Sequence, residues 1–276
     1  MQRTWFITGT SSGFGRIMTE QLLARGDRVA ATLRTPSALA DLQARYLGQL
    51  WVAQLDVTDD AAIDAVLARA FTELGRIDVI VSNAAYGLFG AAEELTGAQV
   101  RRQLDTNLLG SIQLIRSALP WLRRQGGGRV IQVSSEGGQI AYPNFSVYHA
   151  TKWGIEGFVE AVAQEVAPFG IEFTLAEPGP TPTNFAAGMD TAPAMADYDA
   201  TPSGAVRRAL ADGSFKLSGD PVQMVRSMID SADQSPAPRR IALGSTAYRS
   251  IHAALTDRLA RLEAQQDIAL NADLTT

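Results

Sequence analysis

Thr8-Gly9-Thr10-Ser11-Ser12-Gly13-Phe14-Gly15 is the stretch that decides how this chain is read. It joins a short apolar run, Trp5–Thr8, to a sequence suited to a helix over about 14–25. Glycines at 9, 13 and 15 permit a tight turn, close approach of the backbone to a pyrophosphate, and close contact between helix and sheet. A helix that starts there turns free amide donors and the positive end of its dipole toward phosphate. A glycine cluster alone is a weak signal. Placed at the first strand–helix junction, it predicts a dinucleotide site.

The pattern around it supports that reading. Short apolar runs at Trp5–Thr8, Arg28–Thr32, Trp51–Leu55, Ile77–Ser82, Arg129–Ser134, Ile171–Ala176 and Arg240–Leu243 read as strands buried on both faces. Longer amphipathic stretches near 14–25, 36–47, 59–74, 98–123, 147–167, 221–232 and 248–266 read as helices, and each crossover is long enough for parallel pairing. The expected fold is α/β: a single doubly wound Rossmann domain over 1–276, with about seven parallel strands in order 3-2-1-4-5-6-7 flanked by helices. The proline-rich stretch 178–219 is too long for an idle connection and reads as a substrate lid. The helix at 248–266 closes the chain against the domain or a second subunit.

Composition excludes several chemistries. There is no cysteine, so no disulfide, thiolate nucleophile or cysteine-bound metal is possible, and His149 and His252 are the only histidines. No metal site is expected. The net charge of −5 argues against a general nucleic-acid surface. No apolar stretch reaches membrane-spanning length and no signal-like N-terminus is present, which gives the expectation of a soluble, cytoplasmic protein without a membrane partner. Only Lys152 and Lys216 are lysines, so a lysine in a chemically suggestive setting stands out.

About twenty residues beyond Gly15, an NAD-binding unit would carry an acid for the ribose. Here the second strand ends Ala31-Thr32-Leu33-Arg34-Thr35. Arg34 suits a 2′-phosphate, with Arg16 as a second contributor, which favours NADP(H) while leaving NAD(H) possible. Asp56, followed by Val57, either accepts from the adenine amino group or caps the next helix. Asn83-Ala84-Ala85 ends the fourth strand with side chains small enough for a cofactor to lie against the backbone.

Tyr148 and Lys152 are four residues apart on an expected helix and therefore share a face. An ammonium beside a phenol favours phenolate and brings tyrosine toward acid/base use. Lys152 would also hold ribose hydroxyls. Ser134 and Ser135 end the preceding strand, where a hydroxyl can bond a substrate carbonyl. Asn107 lies within an otherwise apolar helix, either anchoring a water on a proton path or satisfying backbone groups.

With these motifs together, the chain resembles the classical short-chain dehydrogenase/reductase family across nearly its whole length. The resemblance implies a catalytic tetrad of Asn107, Ser135, Tyr148 and Lys152, choosing Ser135 over Ser134 because the family serine lies 13 residues before the tyrosine. It implies cofactor contacts from Gly9, Thr10, Ser11, Ser12, Gly13, Phe14, Gly15, Arg34, Asp56, Val57, Asn83, Ala84, Ala85, Tyr148 and Lys152. Pro178, Gly179, Thr181 and Thr183 would close against the nicotinamide. Ser135, Gln139, Tyr142, Phe145, Phe185 and Met189 are candidate substrate contacts. Two departures are Ala85, where glycine is common, and Glu136, an unusual acid beside the serine.

The implied activity is hydride transfer between NADP(H) and a carbonyl or secondary alcohol, with tyrosine as general acid/base. The resemblance also implies a homo-oligomer, dimer or tetramer. The rival readings are an NAD-dependent alcohol dehydrogenase of the same fold and a non-catalytic dinucleotide sensor or scaffold.

Overall fold

A computed structural model describes residues 2–274. Its main sheet consists of β1 (Thr4–Thr8), β2 (Arg28–Leu33), β3 (Leu50–Gln54), β4 (Val79–Ser82), β5 (Gly128–Val133), β6 (Ile171–Pro178) and β7 (Arg240–Leu243). All pair in parallel, in the spatial order β3-β2-β1-β4-β5-β6-β7. The expected architecture and order are those observed. β1 and β4 are hydrogen-bonded neighbours, so the chain changes direction across the sheet between them and leaves a crevice beyond their carboxyl ends.

Continuous apolar strands are explained by cover on both faces. On one side α1 (Gly13–Arg25) packs on α8 (Pro221–Ser231), enclosing Trp5, Ile7, Met18, Leu22, Ala31, Val81 and Met228. On the other, α3 (Asp60–Leu74), α5 (Gly110–Arg124) and α6 (Ser146–Val166) enclose Phe6, Ile63, Leu67, Ile80, Leu114, Val130 and Ile155. Gly26 ends α1 in the left-handed conformation and returns its N–H to Leu22 and Leu23, so the chain reverses at once into β2.

Three helix readings need correction. The stretch 36–47 is a 3₁₀ turn, Pro36–Leu39, followed by the short α2 (Ala40–Arg45). The stretch 98–123 is interrupted: α4 (Gly97–Leu104) runs through a π-turn at Asp105–Leu109 into α5. That widened turn faces the end of β3, where any side chain at Gly110 would collide with the Val57 carbonyl. The C-terminal stretch divides into α9 (Ser245–Glu263) and α10 (Gln266–Leu270). Periodicity reports the apolar face of a helix and is blind to such local changes of winding.

The 178–219 segment contains its own structure. Asp190–Thr191 pairs in parallel with Leu88–Phe89, and α7 covers Pro202–Ala211. Glu94, whose side chain is fully buried, accepts from the backbone N–H groups of Ala91 and Met195 and pairs with Arg207. Asn144 donates to the Ser203 carbonyl, and Asp190 takes Arg102 and Gln99. By contrast, the side-chain and backbone bonds within Thr183–Met189 are local, such as Gly188 N–H to the Asn184 carbonyl.

Candidate active site

The turn after β1 is held from both sides. Asn83 donates through Nδ2 to the carbonyls of Thr8 (2.9 Å) and Gly9 (3.2 Å), while Thr8 Oγ1 accepts from the Asn83 and Ala84 amides. Thr10 donates its hydroxyl to the Thr32 carbonyl, tying the turn to β2. Gly9 adopts φ +72°, and a Cβ there would lie 2.8 Å from Ala84 Cα. Gly15 is packed so closely on Gly9 that a side chain would strike its carbonyl. Ser12 precedes α1 without using its side chain as a cap, so the first amides of the helix open onto the crevice. Gly13, at φ +55°, meets nothing closer than Thr183 at 3.8 Å. This fixed, glycine-lined cradle at a helix N-terminus fits a pyrophosphate.

The crevice encloses about 810 Å³. Its nucleotide end is lined by Gly9, Ser12, Gly13, Phe14, Leu33, Arg34, Asp56, Val57, Asn83, Ala84 and Ala85. Thr10, Ser11 and Gly15 do not line it; Thr10 and Gly15 shape the turn from behind. Arg34 is exposed and makes no ion pair or side-chain hydrogen bond among the described residues. Arg16 is committed elsewhere, to Glu20, Asp41 and the Ala38 carbonyl, which removes it from the expected phosphate contacts. Asp56 accepts from the Thr58 amide and hydroxyl through one oxygen, and α3 is capped by Asp59 instead.

At the other end β5 and α6 bring Ser135, Tyr148 and Lys152 to the cleft floor. Ser135 Oγ accepts the Gly137 amide at 3.1 Å, leaving its O–H free to donate. Lys152 Nζ donates to the Val133 carbonyl at 3.0 Å and lies 5.6 Å from the Tyr148 ring centre. Burial pushes the Tyr148 phenol up to about 12, opposed by the Ser135 hydroxyl, and pushes Lys152 down to about 8, opposed by the Glu156 carboxylate. The expectation that the ammonium brings Tyr148 toward neutrality is thereby corrected: burial of the phenolate sets the direction, and the group that opposes it is Ser135. The Tyr148 phenol is therefore neutral at pH 7.

Asn107 is buried in the π-turn and does not line the crevice. Its Oδ1 accepts from Tyr86 N–H and its Nδ2 donates to the Tyr86 carbonyl. Tyr142, Phe145, Phe185 and Met189 line the crevice at the Tyr148 end, with the Phe185 ring 5.7 Å from that of Tyr148. Gln139 does not line it; its amide binds the buried Glu156 carboxylate, a correction to its expected substrate contact. Glu136 is buried, and burial pushes its carboxyl up to about 7. Pro178, Gly179, Thr181 and Thr183 form the wall beside the cradle.

The profile of the family described as short chain dehydrogenase matches residues 3–194. The chain is 34% identical over 249 residues to oxidoreductase BOA17 of Botryotinia fuckeliana, covering 90% of each. It is 39% identical over 188 residues to human 17-beta-hydroxysteroid dehydrogenase type 1, covering 65% of this chain and 57% of that enzyme. A crystal structure of a short-chain dehydrogenase from Streptomyces avermitilis superposes with a TM-score of 0.92 at 36% identity, over 99% of this chain and 100% of the other. The chain belongs to the short-chain dehydrogenase family. It is an oxidoreductase that transfers hydride to or from a dinucleotide cofactor, acting on a small molecule.

In this short-chain dehydrogenase, no helix among the described residues is long and apolar enough to cross a membrane, and no cluster of metal-ligating side chains occurs among them. Sequence reasoning missed Tyr86, Arg102, Leu210, Phe215 and Leu217, which also line the cleft. They come from three separate segments and share no motif. A further miss, Glu156, carried a signal, since it stands one helical turn beyond Lys152.

Proposed function

We propose that the protein is an NADP(H)-dependent carbonyl reductase and alcohol dehydrogenase for ketones or secondary alcohols of apolar or aromatic bulk. The observation that carries the reading is the convergence of a free Ser135 hydroxyl, a neutral Tyr148 phenol and a charged Lys152 at one end of a crevice. The other end holds the unpaired Arg34. Ser12, Gly13 and the first turn of α1 would hold the pyrophosphate, Arg34 the 2′-phosphate and Lys152 the ribose. When bound, NADPH supplies the hydride.

The chain's own residues do the rest. Ser135 donates a hydrogen bond to the substrate carbonyl oxygen and fixes its position beside Tyr148. Tyr148 gives its phenolic proton to that oxygen as negative charge develops there, and takes a proton from an alcohol in the reverse direction. Lys152 favours the phenolate that is left behind. Asn107 acts from behind the wall by holding the Tyr86 backbone. Phe145, Phe185, Met189 and Leu210 exclude water and set an apolar limit on the substrate, a lining suited to molecules of the size for which the human relative is named. Thr183–Met189 is the part of 178–219 that closes over it. A homo-oligomer, dimer or tetramer, is expected, and sedimentation at assay concentration tests it.

The deciding assay measures nicotinamide absorbance with NADPH or NADH across aromatic and polycyclic ketones and the matching alcohols. Turnover with NADPH, with Tyr148→Phe slowed by about 10²–10⁴-fold while still binding cofactor, is the expected result. Near-wild-type turnover in Tyr148→Phe would remove the catalytic assignment.

A further inference from the structure

Beneath the serine turn lies a charged cluster that the proposed chemistry does not use. Glu156 is 2% exposed and stands on α6 one turn beyond Lys152. Its Oε1 accepts the Ser134 hydroxyl at 2.5 Å, and its Oε2 accepts the Gln139 amide at 2.5 Å and Arg240 at 2.6 Å. Arg240, from edge strand β7, also pairs with Glu160 and Glu177. Ser134 and Gln139 bracket the turn that presents Ser135, so one carboxylate grips that turn at both ends. The chain passes directly over the carboxylate at Gly138, where any side chain would collide with Glu156 Oε1. A buried carboxylate would be costly without partners, and this one has a donor on each oxygen and an arginine.

We propose that Glu156 is a positioning residue of the active site: it clamps the Ser134–Gln139 turn so that Ser135 faces Tyr148, and it supplies the anion beside Lys152. The inference rests on the roles proposed above for Ser135, Tyr148 and Lys152.

Of the ionisable groups on elements around Lys152, Tyr148, His149 and Glu156 on α6, Glu136 on the serine turn, Glu177 on β6 and Arg129 at the opposite end of β5 from Val133 are buried, and Arg240 on β7 and Glu172 on β6 are half-buried. Glu160 and Glu165 on α6, Arg101 and Arg102 on α4 and Asp105 on the π-turn are exposed. Of these, Glu156 is the one whose charge bears on Lys152, opposing the effect of burial. Taking that charge away therefore makes the ammonium easier to deprotonate.

Two lysines make this directly measurable. Protein labelled with carbon-13 at lysine Cε has two signals, from Lys152 and from the exposed Lys216, which serves as an internal control. A pH titration of wild type and Glu156→Gln should move the Lys152 midpoint downward by about one unit or more, with Lys216 unmoved. In NADPH-dependent reduction of an aromatic ketone, the high-pH limb of kcat should shift the same way, with kcat at pH 7 roughly halved and kcat at pH 9 reduced about tenfold for that one-unit shift. Glu156→Asp keeps the charge but shortens the arm, and should lower kcat while leaving the Lys152 midpoint near that of wild type. An unmoved Lys152 midpoint in Glu156→Gln overturns the electrostatic role. If that variant does not fold, Glu156→Asp decides: wild-type kcat and pH profile overturn the clamp, and reduced kcat upholds it. The titration needs neither cofactor nor substrate. Failure of the underlying reaction assignment would appear separately, as wild-type turnover in Tyr148→Phe.

Discussion

Replacing Arg34 by alanine tests the cofactor reading at the one place where charge decides it. The guanidinium is exposed at the end of β2, on the crevice wall, and no carboxylate among the described residues competes for it. Hydrogen bonds to charged groups contribute about 1.5–3 kcal/mol. Solvent screening at an exposed site places Arg34 at the lower end, about 1.5 kcal/mol, or about tenfold in Kd. Fluorescence or calorimetric titration should therefore find NADPH binding weakened about tenfold in Arg34→Ala, with NADH little changed and the difference shrinking as salt is added. Arg16→Ala is the control: its guanidinium is held by Glu20 and Asp41, so NADPH affinity should change by less than about twofold. Leu33→Asp would add repulsion against the phosphate. Leu33 is only 3% exposed and packs into the core beneath α1, so that variant should also lower Tm. A wild type that prefers NADH, or an Arg34→Ala that weakens both cofactors equally, would refute the reasoning.

Further expectations follow from the same geometry. With Lys152 pushed down to about 8 and Tyr148 up to about 12, reductive kcat should be flat near neutrality. It should fall as pH rises through about 8 and the ammonium is lost, a limb visible in a profile at saturating NADPH. Burial alone would raise the Glu94 carboxyl, but the Met195 and Ala91 amides and Arg207 overcome this and hold it below the usual carboxylate range. Its contribution to stability is thus complete at neutral pH and lost on acidification. Glu94→Ala should destabilise by about 3 kcal/mol, the lower end for breaking a buried pair, as read by denaturant titration. Hydrogen exchange should place new protection by NADPH and substrate in Thr183–Met189, with α7 already protected in the free protein; equal exchange in both states would count against closure.

How much was legible in the sequence follows from the range of the interactions involved. Strand order, crossovers and the nucleotide cradle are written in local patterns: an apolar run buried on both faces, a glycine where φ is positive, a helix start with free amides. The pairing of Tyr148 with Lys152 follows from helical geometry alone, since four residues make about one turn. Each of these depends on neighbours in the chain, and each could be read from neighbours. Charge and burial across the fold could not. Arg16 and Arg34 look alike as basic residues near a glycine loop, and only the placement of Asp41 and Glu20 removes Arg16 from the cofactor side. Gln139 looks like a substrate contact until Glu156, seventeen residues away, is seen to hold it. The direction of the Tyr148 shift also lay beyond the sequence, because it is set by how dry the ring's surroundings are, and the packing of Phe145 and Phe185 around the ring excludes water more strongly than the Ser135 hydroxyl favours the phenolate. The chain by itself determined which backbone units form and where the two ends of the crevice lie; the tertiary structure decided which charges are free, which are paired and which are stripped of water, since those are set by contacts between residues distant in sequence.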